Sequence, residues 1–286
     1  MTQPSPQVLE AFSTSGEPVP IDGGRGLCFQ AGNVVLKPSD DDQEAGWVAE
    51  LCESMMAKAP SGYRMSRPIR SPHGFVFESW TAWALVPGRS ALASNFEAIL
   101  KACRVFHADI AIIRTERPPF LVERQNRWTE ADLVTWGEKS ICDVADVNAD
   151  ILSLVHPVLQ QLSQLRKELP SDIRSQLIHG DLTGNVLFDD NNPAAPPGII
   201  DITPYWRPAL FAEAIVVADW LAWHGQGEDL VEMYGTEEVH LQLLVRALYW
   251  RCLTFAIDSD EAWVRDNWPR TDYGRAVEIV QKIMGK

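Results

Sequence analysis

The sequence has no C-x-x-C pair, no excess of basic residues, no internal repeat and no long apolar run. Each absence closes off a class. Its five cysteines (Cys28, Cys52, Cys103, Cys142 and Cys252) are odd in number and widely scattered, which argues against a disulfide framework or a structural zinc site. Free thiols in a reducing cytoplasm are the expectation. The net charge of −14 argues against nucleic acid or an anionic membrane surface as the main partner. No apolar run reaches the roughly 18 residues of a membrane span. Met1 to Pro20 is polar and holds prolines rather than an apolar signal core, so nothing in it suggests secretion.

What is present reads as a folded domain. The chain has 286 residues, 46% of them hydrophobic and 22% charged, enough for one large or two modest cores. Eleven tryptophans are many for this length. Most are expected in the core, with Trp128, Trp136, Trp206 and Trp223 as candidates to wall a pocket for an apolar or aromatic ligand.

The periodicity divides the chain. Leu27-Cys28-Phe29, a turn at Ala31-Gly32-Asn33 and Val34 to Lys37 read as a β-hairpin stopped by Pro38. Ser39 and Asp40 to Asp42 supply a cap and first-turn acids for a helix to about Lys58, with an apolar stripe of Trp47, Val48, Leu51, Cys52 and Met55. Gly74 to Val86 is β-like and ends at Pro87-Gly88. Helical patterns then cover 92–110, 131–142, 151–169, 212–224, 239–257 and 275–284. The expectation is an α+β chain with a small β-rich lobe, 1–87, and a larger, mainly helical lobe, 88–286.

The most informative stretch is His179-Gly180-Asp181-Leu182-Thr183-Gly184-Asn185, followed by an apolar strand and Ile199-Ile200-Asp201. Two carboxylates and a carboxamide fall within 21 positions, separated by β-rich sequence. Phosphoryl transfer needs that grouping. One carboxylate lies beside the substrate hydroxyl, while an amide oxygen and a second carboxylate hold Mg²⁺ on the nucleotide phosphates. An Asp-rich turn capped by its own side chains is the ordinary reading of an isolated His-Gly-Asp. The strand, turn and second carboxylate that follow favour the chemical one.

This stretch resembles the aminoglycoside phosphotransferase/choline kinase-like branch of the protein-kinase-like superfamily, and the resemblance extends over nearly the whole chain. It implies a bilobal kinase-like fold and transfer of a γ-phosphate from ATP (or GTP) with Mg²⁺ to a hydroxyl of a small molecule, in the cytoplasm. Asp181 would orient the acceptor hydroxyl or accept its proton, with His179 propping the loop. Asn185 and Asp201 would hold the metal. Lys37 would reach the nucleotide phosphates; a strand-end lysine in water is the alternative. Its glutamate partner would be Glu44, which falls on the apolar stripe, ahead of Glu50, which lies off it. Gly23, Gly24 and Gly26 would cover the phosphates, and backbone at Ala84 and Val86 would bind adenine. Trp206, Arg207 and Glu213 would line the acceptor side, with Asp219 a second acidic candidate. For Trp206 and Arg207 the alternative is a core tryptophan and a surface arginine.

One departure stands out. Three residues, not the family's usual four, separate Asp181 from Asn185, and a left-handed Gly184 is the expected means of recovering the reach. A catalytically impaired, nucleotide-binding kinase fold is the alternative that this shortened loop raises. The family acts on aminoglycosides, choline, macrolides, sugars and other small alcohols, and the sequence does not select among them.

Overall fold

The computed structural model describes residues 3–21, 27–90, 93–145 and 147–285. The chain opens with α1 (Pro6–Ala11), β1 (Val19–Pro20), β2 (Phe29–Ala31), β3 (Val34–Pro38) and α2 (Asp42–Met56). Then come β4 (Arg64–Met65), β5 (Pro68–Ile69), β6 (Val76–Phe77), β7 (Trp80–Ala84), β8 (Arg89–Ser90) and α3 (Phe96–Ile113). Three helices follow, α4 (Phe120–Glu123), α5 (Arg127–Thr135) and α6 (Ala149–Leu165). Next are the strands β9 (Gln176–His179), β10 (Val186–Phe188), β11 (Gly198–Ile199) and β12 (Pro204–Arg207). Five helices close the chain: α7 (Ala209–His224), α8 (Glu228–Tyr234), α9 (Glu238–Ile257), α10 (Glu261–Asn267) and α11 (Tyr273–Met284).

These elements form two compact units, Met1–Thr115 with Gly184–Pro204, and Glu116–Thr183 with Tyr205–Lys286. The first therefore holds the β-rich stretch to residue 87 and, in addition, 88–115 and 184–204.

In the first unit, β7 pairs antiparallel with β3, β5 and β6, and β3 continues through β2 to β1. The β2–β3 turn is Gly32-Asn33, with Ala31 opposite Val34. Gly32 has φ +61° and an added Cβ would lie 2.7 Å from Ser15 Oγ, so both backbone and space require glycine. Asp41 caps α2 by accepting from the amides of Gln43 and Glu44, and Val48, Leu51, Cys52 and Met55 are buried as the stripe predicts. The polar-looking N-terminus contributes more than expected. Ser5 caps α1, which buries Val8, with Phe12 just beyond it, against Phe29, Leu36 and Trp80. A second sheet, ordered β4-β11-β10-β8, carries the hairpin that follows the motif.

The second unit is helical. α9 packs against α5, α6, α7 and α11 and is buried almost all round, the pattern of a central helix. α7 is likewise enclosed and ends at Gly225, which adopts φ +63° as a left-handed cap. β9 pairs with β12, leading the chain to His179 at the start of the motif.

Candidate active site

In the first unit, Lys37 lies in β3 opposite Thr81, and its neighbour Leu36 is buried. Alternation along the strand directs the two side chains to opposite faces. Lys37 Nζ is ion-paired with Asp201 Oδ1. Burial works to lower the lysine pKa, but the charge and hydrogen bond of Asp201 outweigh it and hold the ammonium above its usual value.

Asp201 follows β11 and has φ +54°, a left-handed conformation rare outside glycine. Across the β10–β11 hairpin, the Ile200 amide donates to the Asn185 carbonyl at 3.0 Å. Asn185 and Asp201 therefore flank one end of one hairpin. Among the described residues no group of three or more His, Cys, Asp or Glu side chains forms a metal cluster.

Gly184 has φ +83°, as the shortened loop leads one to expect. An added Cβ there would meet nothing within 4 Å, so its requirement is conformational rather than spatial. Its carbonyl accepts from Ser90 Oγ at 2.9 Å. At the end of β7, the Ala84 amide donates to Arg67 O and the Ala84 carbonyl accepts from Ser66 Oγ. Val86 packs where a Cβ on Gly198 would lie 2.6 Å from it. Glu44 is half-buried in the first turn of α2 and Glu50 is exposed, matching their order on the stripe. Gly23, Gly24 and Gly26 lie outside the described residues.

In the second unit, His179 is fully buried, and its Nδ1 accepts from the Asp181 amide at 3.2 Å. Between them Gly180 lies flat on the Tyr205 ring, where a Cβ would be 2.3 Å from Cδ2. Asp181 Oδ1 receives a hydrogen bond from Arg251 Nη2 at 2.7 Å, and the same nitrogen donates to Asp219 Oδ2 at 2.9 Å. The Arg251 guanidinium also lies over the rings of Trp250 and Trp128, at 4.7 and 5.4 Å. Burial opposes its charge, but Asp219 and then Asp181 outweigh that and keep it firmly protonated.

Asp181, Asp219 and Arg251 line a cavity of about 340 Å³, within the range of small-molecule sites. Its other walls include Trp128, Trp223, Phe255, Trp263 and Tyr273. Arg127 and Asp258, ion-paired with each other, complete its charged lining.

Two of the four tryptophans proposed from sequence, Trp128 and Trp223, are therefore cavity walls. Trp206 and Arg207 instead line a second, much smaller cavity with Tyr205 and Asp132. There Arg207 is buried and paired with Asp132, Nε to Oδ1 at 3.0 Å and Nη2 to Oδ2 at 2.6 Å, and also bonds Glu138. Glu213 is buried in α7 and lines neither cavity. Sequence reading missed Arg251, Arg127, Asp258 and Trp263. A signal for Arg251 existed, since a charge inside the apolar run Leu241 to Ile257 requires a buried counter-charge.

No family model matches the chain, and no curated protein matches it. Solved structures do. A microcompartment-associated aminopropanol kinase aligns with TM-score 0.64 at 16% identity, covering 98% of this chain and 96% of its own. An AMP-bound spectinomycin phosphotransferase aligns with TM-score 0.58 at 14% identity, covering 96% and 97%. A choline/ethanolamine kinase family protein from Mesorhizobium loti aligns with TM-score 0.51 at 15% identity, covering 99% and 92%. The chain thus has the kinase-like α+β fold of small-molecule phosphotransferases, along its full length.

Proposed function

We propose that this protein is an ATP- and Mg²⁺-dependent phosphotransferase acting on a hydroxyl of a small molecule. The observation that carries the reading is Asp181. Its amide is held by His179, its carboxylate is held by Arg251, and it lines a cavity of small-molecule size. The shared fold supports it, since the neighbours are kinases and phosphotransferases and one is an AMP complex.

In this reading Asp181 orients the acceptor hydroxyl and accepts its proton as the oxygen–phosphorus bond forms and the β–γ bridging bond breaks. Lys37, now ion-paired with Asp201, would bind nucleotide phosphate, and Asp201 with Asn185 would hold Mg²⁺. Mg²⁺ held there would supply charge neutralisation for the transferred phosphoryl group. His179 fixes the backbone of the loop. The left-handed Gly184 supports the reading that the shortened loop can still present Asn185 on the nucleotide side. Glu44, the glycine turn and the backbone at Val86 would complete the nucleotide side, the Ala84 amide and carbonyl being already bonded to Arg67 and Ser66.

The test is ATP turnover with Mg²⁺ across hydroxylated amines, sugars and apolar alcohols, beside nucleotide affinity measured directly. Acceptor-stimulated ADP release that Asp181→Ala abolishes, with nucleotide affinity retained, is the expected result. Nucleotide binding with no acceptor-stimulated turnover, and background hydrolysis unaffected by Asp181→Ala, overturns the assignment.

A further inference from the structure

The charges around the cavity restrict what enters it. Three carboxylates line it, and each already bears an arginine: Asp181 and Asp219 on Arg251, and Asp258 on Arg127. The side chains of Asp219 and Asp258 are only 8% and 3% exposed, whereas that of Asp181 is 43% exposed. A second or third ammonium on a ligand would meet carboxylates already neutralised by a guanidinium and largely shut from solvent, and would gain too little attraction there to offset its own desolvation. The one accessible carboxylate is the one assigned to the reacting hydroxyl.

The aromatic lining is similarly committed on its charged side, and its apolar side is only partly covered. Arg127 lies over Trp128 at 4.8 Å and Trp263 at 6.0 Å, so much of the cation-binding capacity of those rings is already used. Trp223, Phe255 and Trp263 stand in a near-parallel row, with ring centroids 6.1 and 5.8 Å apart and tilts of 22° and 20°. Phe255 is buried between its neighbours, whereas Trp263 remains 38% exposed and Trp223 half-buried, so the uncovered apolar surface is that of the two tryptophans lining the cavity.

We propose that the cavity takes an alcohol built on a flat or alicyclic apolar body and carrying at most one positive charge, and that it rejects polycationic amino sugars. This rests on the phosphotransferase reading for the identity of the reacting group. The hydroxyl meets Asp181, and the body lies against Trp223 and Trp263.

The test separates binding from turnover. Binding of 2-phenylethanol and cyclohexanemethanol is compared with that of spectinomycin and hygromycin B, by calorimetry and intrinsic tryptophan fluorescence, in the presence and absence of Mg²⁺ and a non-hydrolysable ATP analogue. The apolar alcohols are expected to bind in the millimolar range or better. The amino sugars should bind at least ten-fold more weakly. Trp263→Ala and Trp263→Leu, both with melting temperature monitored, should weaken alcohol binding about ten-fold and about three-fold, reflecting the apolar area each removes, with nucleotide affinity unchanged. Amino sugars that bind as tightly as the alcohols overturn the proposal, as does the absence of alcohol binding, or alcohol binding that Trp263→Ala leaves unchanged. Failure of nucleotide binding or of acceptor-stimulated turnover tells against the transferase reading instead, and leaves the ligand preference decided by the binding arm.

Discussion

Arg251 reaches out of the buried middle of α9 to place Nη2 2.7 Å from the Asp181 carboxylate. The same nitrogen is tied to Asp219 in α7, so a rigid helix pair, rather than the loop alone, fixes the rotamer of Asp181. A guanidinium suits this task because its delocalised charge stays protonated when buried and its planar fork tolerates tryptophan faces. Arg251 is thus a positioning residue in the proposed reaction.

Replacing Arg251 with Lys keeps the charge but loses the fork. We expect kcat to fall by about ten-fold or more, about 1.4 kcal/mol in the barrier, with nucleotide affinity unchanged. In an Asp181→Asn background the same substitution should cost little further rate, because the two residues act through one contact. Additive losses in that cycle would show that Arg251 is only part of the packing. Arg251→Met leaves two carboxylates without their cation, one of them buried, and should destabilise the fold by roughly 3–5 kcal/mol in chemical denaturation.

Lys37 and Asp201 form a different kind of pair. Their side chains are 44% and 36% exposed, and an ion pair that accessible contributes little stability. Lys37→Met should therefore leave the melting temperature nearly unchanged. If the lysine is held in reserve for nucleotide phosphate, the same variant should weaken ATP binding by about ten-fold or more, as loss of a charge-assisted bond does. Calorimetry on the nucleotide, beside a thermal melt, checks both halves.

Gly180 and Gly184 lie four positions apart and are glycines for different reasons. At Gly180 a methyl would sit 2.3 Å from a carbon of the Tyr205 ring, so Gly180→Ala forces the ring or the loop aside at a cost of about 1–3 kcal/mol. Because Asp181 is the next residue, kcat should fall with stability. At Gly184 space is open and only φ +83° is at stake. Gly184→Ala should cost about 1–2 kcal/mol through backbone strain, with a smaller effect on the melt than Gly180→Ala and a selective rise in the Mg²⁺ requirement through Asn185.

The legible parts of this protein are those where chemistry and local period coincide. Lys37, the α2 stripe, the β10–β11 hairpin and the left-handed Gly184 could all be read from neighbouring residues, because turns, caps and alternation are local. The cavity could not. Trp128, Asp181, Asp219 and Trp223 are candidates one by one, but no local spacing joins them to Arg127, Phe255 and Trp263, which they meet only through the packing of helices. Arg207 shows the opposite difficulty. Its closeness in sequence to Asp201 suggested the acceptor side, yet the β9–β12 pairing and Asp132 draw it into a separate charged cluster.

The thiols offer a check on the burial pattern. Cys142 is exposed, Cys28 half-buried, and Cys52, Cys103 and Cys252 buried. Burial pushes the Cys52 thiol up to about 12 and raises Cys28 and Cys252 as well, so little reactive thiolate exists at mildly alkaline pH. With iodoacetamide at about pH 8, where an unperturbed thiol near 8.5 is partly ionised, intact mass should show one fast adduct at Cys142 and a slow second at Cys28. All five should react in guanidinium. Fast labelling of Cys52 in the native protein contradicts the packing of α2.

Arg207 decides between an acceptor contact and a structural bond. Its guanidinium grips both oxygens of Asp132, bonds Glu138, and lies 4.8 Å from the Trp136 ring centroid. Removing one member of such a pair strands the buried carboxylate, so Arg207→Met should cost roughly 3–5 kcal/mol of stability. Arg207→Met with Asp132→Leu removes both charges and should recover much of that loss. An acceptor-binding arginine behaves otherwise, since its loss raises the acceptor KM and a second substitution at Asp132 does not restore it. We expect the single variant to be destabilised and the double variant to regain stability, with acceptor KM in both within about two-fold of the parent, the scatter expected for a site with no shared partners.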